Sequence, residues 1–314
     1  VYCWGRDNLG QLGGNVSNWE DPTQDFENYS QNPIAISIPA GRQAMSISAS
    51  NYVNCAILDN GSVVCWGTSS WSGIPTIVQL PDGSDAIGLY SGDSHHCALL
   101  SNNSLYCWGP NGSGQLGNGN TTHSPTTPVE ASLPHGSNIS LVSLGTSRSC
   151  AALENGSLYC WGYAETSGWG AGSTPVEVPL PNQPGIVDLD VGYSHYCVIV
   201  ENGSVYCWGN NPDARTGSPP PSPWGGYTWT PTRVNLPAYR TATSLGLGDE
   251  HSCALLDDDS VWCWGENSDG QLGIGHGYLQ NDGGNSLSTH HEPNVVSGFQ
   301  GSLPTFQIPC SPGT

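Results

Sequence analysis

The stretch Cys55-Ala-Ile-Leu-Asp-Asn-Gly-Ser-Val-Val-Cys65-Trp66-Gly67 decides the fold of this 314-residue chain. Two short apolar runs flank a polar tip, which is the pattern of a β-hairpin. The third tip residue, Gly61, is of the type that a three-residue loop needs in the left-handed region. Such a loop sets Cys55 opposite Cys65 at a non-hydrogen-bonded pair, where Cα atoms come closest. The hairpin therefore predicts a cross-strand disulfide.

The same hairpin recurs along the chain. The tetrad Tyr-Cys-Trp-Gly, or a close variant, occurs six times, about every 50 residues. In five copies a second cysteine precedes the tetrad cysteine by ten residues, and a proline lies 22 residues before that second cysteine. The predicted disulfides pair Cys55 with Cys65, Cys97 with Cys107, Cys150 with Cys160, Cys197 with Cys207 and Cys253 with Cys263, and the prolines are Pro33, Pro75, Pro128, Pro175 and Pro231. This period and these short strands are typical of propeller blades rather than of a helical solenoid.

The repeat predicts an all-β chain that forms one β-propeller domain over residues 1–314, with six four-stranded blades. The blade units end near residues 5, 67, 109, 162, 209 and 265. Residues 266–314 and 1–5 are expected to form the last blade, so that the two termini close it. Cys310 is the partner left for Cys3, although it follows Pro293 by 17 residues rather than 22. A strand or bridge exchanged with a neighbouring molecule is the alternative.

Composition limits the compartment and the partners. The chain has 26 acidic and 6 basic residues and a formal net charge of −20, which argues against nucleic acid and anionic membranes as partners. No apolar run approaches the roughly 18 residues of a membrane span. Twelve regularly spaced cysteines indicate disulfides and an extracellular or cell-surface location, and the start at Val1 fits a processed chain. Zinc ligation is the alternative, but the sequence has no Cys-x-x-Cys pair.

Nine Asn-x-Ser/Thr sequons predict covalent N-linked glycans. Four lie at the middle of a hairpin tip and would form a ring of sugars, and five lie in variable loops. The tip sequons are Asn60, Asn102, Asn155 and Asn202, and the loop sequons are Asn15, Asn28, Asn111, Asn120 and Asn138. Asn-Gly-Ser is also good turn chemistry, which is the alternative interpretation, but a turn does not require the serine.

Three histidines share the position two residues before the first cysteine of a pair: His95, His195 and His251. They form either a metal or proton site near the axis, or a structural hydrogen bond repeated within each blade. Arg148 and Val53 hold the same position in other units, which favours the structural bond.

Few other residues suggest chemistry. The acidic tip Asp257–Asp259 is either solvated or a weak calcium site. Serine-hydrolase, zinc-protease and phosphate-loop motifs are absent from the sequence. We therefore predict that the protein is not an enzyme and has no catalytic residue, metal or cofactor.

The insertion at residues 210–230 is rich in proline and aromatic residues. Trp224, Tyr227 and Trp229 suggest a contact loop for a protein or carbohydrate ligand. The alternative is that the insertion covers a gap in its own blade.

The tetrads and the loops after them resemble the regulator of chromosome condensation repeat, a β-propeller family. The loop motif is Trp-Gly followed by Asn-x-x-Gly-Gln-Leu-Gly, and a second motif, Gly-x-x-His-x-Cys-Ala-Leu, precedes the hairpin. The first occurs as Trp4-Gly5 with Asn8 to Gly13, Trp108-Gly109 with Asn111 to Gly117 and Trp264-Gly265 with Asn267 to Gly273, and the second at Gly92 to Leu99 and Gly248 to Leu255.

The resemblance implies four-stranded blades around an axis, and it makes seven blades the alternative to six. The doubled cysteines indicate a secreted branch of the family. The nuclear member's nucleotide exchange on the GTPase Ran and its chromatin binding are therefore not expected, because they need a reducing compartment and a basic face.

These features predict an extracellular, N-glycosylated, disulfide-stapled propeller that associates with itself as a subunit of a surface fibre or coat. An unpaired strand edge in an irregular terminal blade is a natural assembly site. The alternative is a secreted binding propeller of the lectin or protein-inhibitor type, which uses the loops of one face.

Overall fold

The computed structural model describes residues 1–7, 9–13, 29–67, 73–81, 83–134, 136, 138–163, 172–182, 185–221, 226–275 and 289–297. The regular elements of these residues are 22 β-strands, so the all-β prediction is confirmed. The strands are β1 Tyr2–Arg6, β2 Tyr29–Ala35, β3 Ala44–Ala49, β4 Val53–Leu58, β5 Val63–Gly67, β6 Thr76–Ile77, β7 Ala86–Ser91, β8 His96–Leu100, β9 Leu105–Gly109, β10 Ser124–Glu130, β11 Ile139–Leu144, β12 Arg148–Leu153, β13 Leu158–Gly162, β14 Gly172–Val178, β15 Ile186–Val191, β16 His195–Val200, β17 Val205–Asn210, β18 Tyr227–Arg233, β19 Ala242–Leu247, β20 His251–Leu256, β21 Val261–Glu266 and β22 Thr289–Val295.

The strands form five four-stranded sheets and one two-stranded sheet, which we call blades. The chain divides into two compact units, Val1–Ser194 and His195–Thr314. The first unit contains the two-stranded blade β1–β2, the blades β3–β6, β7–β10 and β11–β14, and strand β15. The second contains strands β16–β18 and the blade β19–β22. The assignment of one domain to the whole chain remains a prediction.

The cysteine hairpins fold as predicted. Cys55 lies opposite Cys65 in the antiparallel pair β4–β5, and the two cysteines form a disulfide with a Cα–Cα distance of 4.1 Å. The other four pairs have the same register and are also bridged, at Cα–Cα distances of 4.0–4.2 Å. These disulfides join Cys97 to Cys107, Cys150 to Cys160, Cys197 to Cys207 and Cys253 to Cys263.

The hairpin tips also have the predicted backbone. The third tip residue has a positive φ in each hairpin, as the three-residue loop requires. These tip residues are Gly61, Asn103, Gly156, Gly203 and Asp259.

The sequence predicted that each blade ends at its tetrad strand, but in the structure each blade ends one strand later. The strand after a tetrad carries the proline of the repeat and pairs with the tetrad strand, as β10 does with β9 and β14 with β13. The blades therefore extend beyond residues 5, 67, 109, 162, 209 and 265 by one more strand. The strand around Pro293, β22, pairs with β21 and completes the blade β19–β22 rather than the last blade.

The N-terminal strand β1 lies in a separate sixth blade, as expected for a propeller whose termini close the last blade. It pairs with β2, with Cys3 opposite Ile34. Cys310 lies outside the described residues, so the Cys3–Cys310 bridge remains a prediction. Cys3 itself is half-buried.

The core consists of apolar clusters that each join two consecutive blades. One gathers Leu99 and Leu105 of the blade β7–β10 with Val142, Leu153 and Trp161 of the blade β11–β14. The other clusters repeat this plan, each with the tetrad tryptophan of the later blade. A single blade therefore cannot bury its own apolar face, which is why the fold needs the repeat.

The edge formed by the strands that follow the tetrads is poorly suited to pairing with another chain. Five of these strands contain proline, which lacks the N–H donor that strand addition requires, and the sixth, β6, has only two residues. The prolines are Pro33 in β2, Pro125 and Pro128 in β10, Pro175 in β14, Pro231 in β18 and Pro293 in β22.

Replacing both Cys150 and Cys160 by alanine is expected to lower the free energy of unfolding by about 2–3 kcal/mol, because the unfolded chain regains the freedom of a short loop. Denaturant unfolding under oxidising conditions measures this loss. Under strong reduction the same substitutions should cost much less, because the wild type then lacks the bridge as well. An unchanged unfolding midpoint without reductant would contradict a contribution from this disulfide.

Candidate functional site

At three blade junctions, the loop after a tetrad binds the tryptophan of the next blade. In the loop 111–117, the backbone N–H of Leu116 donates to Oδ1 of Asn111 at 2.9 Å, which closes a tight turn. The turn presents the carbonyl of Gln115 to Nε1 of Trp161, which donates to it at 2.8 Å. We call this arrangement the clasp loop. It fastens the blade β11–β14 to the blade before it.

The clasp loop occurs at two further junctions. In the first, Leu12 donates to Oδ1 of Asp7 at 2.8 Å, and Trp66 donates to the carbonyl of Gln11 at 3.0 Å. The motif match to Asn8 was therefore wrong by one residue, because Asp7 accepts the bond at this position. Asn8 itself lies outside the described residues.

The sequence patterns did not predict the clasp loop at residues 211–217. Thr216 donates to Oδ1 of Asn211 at 3.0 Å, and Trp264 donates to the carbonyl of Arg215 at 3.0 Å. Arg215-Thr216 replaces the usual Gln-Leu, so the motif is hidden. The available signal was the asparagine three residues after a tetrad tryptophan, with glycine six residues further on.

Two of the three repeated histidines strengthen the same junctions. Nε2 of His95 lies 2.8 Å from Oγ of Ser149, and that hydroxyl donates to the carbonyl of Gln115 at 2.8 Å. Because the serine hydrogen goes to the carbonyl, the imidazole donates from Nε2. His195 and Ser252 make the same contacts to the carbonyl of Arg215. The structural interpretation is thus supported, but the bond joins consecutive blades rather than lying within one.

Burial keeps the histidines of one junction neutral. Desolvation, with a smaller contribution from the neighbouring His96, lowers the pKa of His95 from 6.5 to about 3. Desolvation also lowers the pKa of His96 to about 4. Nδ1 of His96 lies 2.8 Å from Oγ of Ser91, and its ring stacks on Trp108 with 5.9 Å between centroids. His251, by contrast, is only half-buried.

The four tip sequons share one turn, and their asparagines lie at the surface. Oδ1 of each asparagine accepts a hydrogen bond from the backbone N–H of the serine two residues on, at 2.9–3.3 Å. This turn bond does not use Nδ2, which is the atom to which an N-linked glycan is attached. The tips therefore combine the expected turn chemistry with an accessible attachment atom. The asparagines are Asn60, Asn102, Asn155 and Asn202.

The loop sequons differ from one another. Asn111 is fully buried and its Nδ2 donates to the carbonyls of Asn120 and Thr122 at 2.9 and 3.1 Å, so the prediction of a glycan on Asn111 is incompatible with this fold. Asn120 and Asn138 are exposed. Asn15 and Asn28 lie outside the described residues.

Two aromatic residues of the insertion lie on strand β18 rather than in a loop. The rings of Tyr227 and Trp229 stack with 4.5 Å between centroids at an interplanar angle of 13°, and Trp229 is 40% exposed. Trp224 lies outside the described residues. The stacked pair therefore offers a rigid aromatic surface at the edge of its blade.

Strand β1 differs from the other tetrad strands. Tyr2 is 66% and Trp4 is 64% exposed, whereas the other five tetrad tryptophans are 0–1% exposed. Within the described part of the chain, β1 pairs with β2 along one edge. Strand β1 therefore exposes the tryptophan that the other tetrad strands bury.

The acidic tip is held by an arginine. Arg240 lies 3.8 Å from Asp257 and 3.0 Å from Asp258, so this tip is already charge-paired. In the described ranges, no group of three His, Cys, Asp or Glu residues is placed to hold a metal. None of the described elements is a helix with the length and hydropathy of a membrane span.

Family comparisons identify the class of protein. Two models of the regulator of chromosome condensation (RCC1) repeat match the chain, and together they cover more than half of it. One matches residues 87–115, 139–168, 186–213 and 242–271, and the other matches residues 102–152 and 258–312. The chain belongs to the RCC1 repeat family and has its β-propeller fold.

Several solved structures are similar to this chain over almost its whole length. Human WBSCR16 has a TM-score of 0.76 at 19% identity, and the match covers 96% of this chain and 77% of that one. Prp20p of Saccharomyces cerevisiae, described with its binding to Gsp1p and histones, has a TM-score of 0.75 at 18% identity, with 95% and 74% covered. Yeast RCC1 (Prp20) bound to Kap60 has a TM-score of 0.74 at 18% identity, with 95% and 72% covered. At these identities the likeness establishes the fold alone.

Trp161→Phe is expected to destabilise the protein by about 1 kcal/mol more than Trp108→Phe. Both changes shrink a buried ring, but Trp161 also loses its bond to Gln115, whereas Nε1 of Trp108 has no hydrogen-bond partner among the described residues. Denaturant unfolding of the two variants measures the difference. Equal losses would show that the clasp-loop bond contributes no net stability.

Acid is expected to destabilise the fold through His95 and His96. Their folded-state pKa values lie below 6.5, so their contribution to stability is present above pH 6.5 and is lost as pH falls towards 4 and then 3. Unfolding midpoints measured between pH 7.5 and 4 should fall less steeply for His95→Gln than for the wild type. Parallel pH profiles would rule out this source of acid sensitivity.

Proposed function

We propose that this protein is an extracellular, N-glycosylated, disulfide-stapled propeller that associates with itself as a structural subunit of a surface fibre or coat. The observation that carries the proposal is the buried disulfide in every hairpin that has a cysteine pair. Disulfides in such numbers persist in oxidising compartments and are rare in the cytosol.

The surface supports an extracellular role. The tip sequons, together with Asn120 and Asn138, are the glycosylation sites that we propose among the described residues. At each site, Nδ2 would displace the diphosphate of an activated glycosyl donor at sugar C1, forming an N–C bond, breaking a C–O bond and losing a proton. We keep Asn15 and Asn28 as expected sites and exclude Asn111 because it is buried.

We place the self-association contact at the sixth blade. Proline on the strands that follow the tetrads disfavours edge-to-edge pairing there. By contrast, β1 carries exposed Tyr2 and Trp4, and half-buried Cys3 lies between them. A compact aromatic contact also suits a chain with a net charge of −20, because like-charged copies repel over broad faces.

Size-exclusion chromatography with light scattering, and electron microscopy, test the assembly of the secreted, glycosylated protein. We expect ordered polymers that grow with concentration, and we expect Trp4→Ala to reduce them to monomers. Trp229→Ala is the matched control, because it removes another exposed tryptophan and should leave assembly intact. A monomer at every concentration, with all five disulfides formed, would overturn the structural role.

The alternative function is a secreted binding propeller of the lectin or protein-inhibitor type. The exposed Trp229, stacked on half-buried Tyr227, favours it, because such rings contact sugars and protein hot spots. Prp20p, of the same fold, binds proteins. A glycan-array or pull-down signal that Trp229→Ala abolishes and Trp4→Ala leaves unchanged would support this alternative.

We further propose that the protein acts without enzymatic chemistry, metal or cofactor. Asp257 and Asp258 of the acidic tip pair with Arg240, and the buried histidines hydrogen-bond to serines. These groups have structural partners that account for their positions.

A further inference from the structure

A groove of about 230 Å³ lies beside one of the four tip sequons. Its rim is the hairpin tip between β8 and β9, and its opposite side is the linker from β10 to β11. Asn102 lies on the rim, Leu133 and Pro134 contribute apolar atoms to a mostly polar lining, and Glu130 supplies a carboxylate. The volume is below the roughly 300–1,000 Å³ of drug-sized sites, so it suits a sugar ring or two.

The side chain of Asn103 produces the groove by acting as a spacer. At the tips with Gly61 and Gly203, the first residue of the next blade donates its N–H directly to the glycine carbonyl, at 2.9 Å in both cases. At the tip with Asn103, the N–H of Ile139 donates instead to the side-chain Oδ1, at 3.2 Å. A side-chain bond in place of a backbone bond holds the linker farther from the tip.

The glycine tips leave no room for a side chain at this position. A Cβ atom at Gly61 would lie 2.4 Å from Cβ of Asp85, and one at Gly203 would lie 2.3 Å from Cβ of Thr241. The neighbouring linker therefore already fills the position that the side chain of Asn103 takes in the blade β7–β10.

We propose that this groove seats the first sugar residues of the N-linked glycan on Asn102, whereas the glycans on Asn60 and Asn202 project into solvent. The inference rests on the proposed glycosylation. Leu133 and Pro134 would contact the C–H face of a sugar ring. The Glu130 carboxylate, which is exposed, would accept hydrogen bonds from sugar hydroxyl or amide N–H groups.

A second sequon lines the groove but is directed elsewhere. Nδ2 of Asn138 donates to Oε2 of Glu154 at 2.8 Å, and its Oδ1 accepts from Nδ2 of Asn103 at 2.9 Å. Glu154 is not part of the groove lining. The attachment atom of Asn138 therefore faces the next hairpin, which leaves Asn102 as the source of the seated glycan.

The test measures how fast a peptide-N-glycosidase removes each glycan from the native protein secreted by N-glycosylating cells. Ser140→Ala serves as the background, because it abolishes the Asn138 sequon while keeping Asn138. We expect release from Asn102 to be about tenfold slower than from Asn60 and Asn202, the factor that about 1.4 kcal/mol of sugar contact would give. After denaturation the three sites should be released at equal rates.

The matched variant is Asn103→Gly, which keeps the Asn102 sequon and reproduces the Asn-Gly-Ser tips. It should raise release from Asn102 to the rate of the other tips. Three results would each overturn the proposed binding of the Asn102 glycan in the groove. They are equal release rates at the three sites of the native wild type, a bare Asn102 beside glycosylated Asn60 and Asn202, and slow release from Asn102 that persists in Asn103→Gly. Bare asparagines at all four tips would overturn the proposed glycosylation itself, and with it the binding of a glycan in the groove.

Discussion

The packing of a tetrad tryptophan against the preceding blade is the contact on which the rest of the structure depends, and at three junctions a hydrogen bond to the clasp loop fixes it. A four-stranded blade has too little apolar surface to bury alone, so it must pack on a neighbour. The indole of Trp161 fills the space between two blades and donates to the carbonyl of Gln115. The hydroxyl of Ser149 donates to the same carbonyl and accepts a hydrogen bond from His95. One backbone oxygen therefore organises a buried polar network.

Within a blade, the disulfide hairpin has a different task. It ties the two middle strands together, as Cys97 and Cys107 do in the blade β7–β10. Its tip is free to vary in chemistry while its backbone is constrained by one left-handed residue. The tips are thus rigid surface points that recur with the blades. The hairpins and the junctions therefore have separate roles. The disulfide-bonded hairpins present the sequons at the surface, and the buried tryptophans and histidines hold neighbouring blades together.

Among the described residues, strand β1 differs from the other tetrad strands, and the proposed assembly follows from that difference. Trp4 is exposed where its counterparts are buried, and the strands that follow the tetrads carry prolines that discourage pairing. On β18, exposed Trp229 stacks on half-buried Tyr227. The two proposed functions therefore depend on different residues of the same scaffold.

Periodicity alone determined the all-β repeat, the five cysteine pairs and the left-handed tip residues, because these depend on local spacing within one hairpin. Tertiary structure decided what depends on neighbouring blades. It moved the histidine bonds from within a blade to between blades, and it showed that Asn111 is committed to carbonyls of its own loop. It also placed the strand around Pro293 in the blade before the last. Motif spacing along the chain cannot reveal such contacts, because they join residues that only the folded chain brings together.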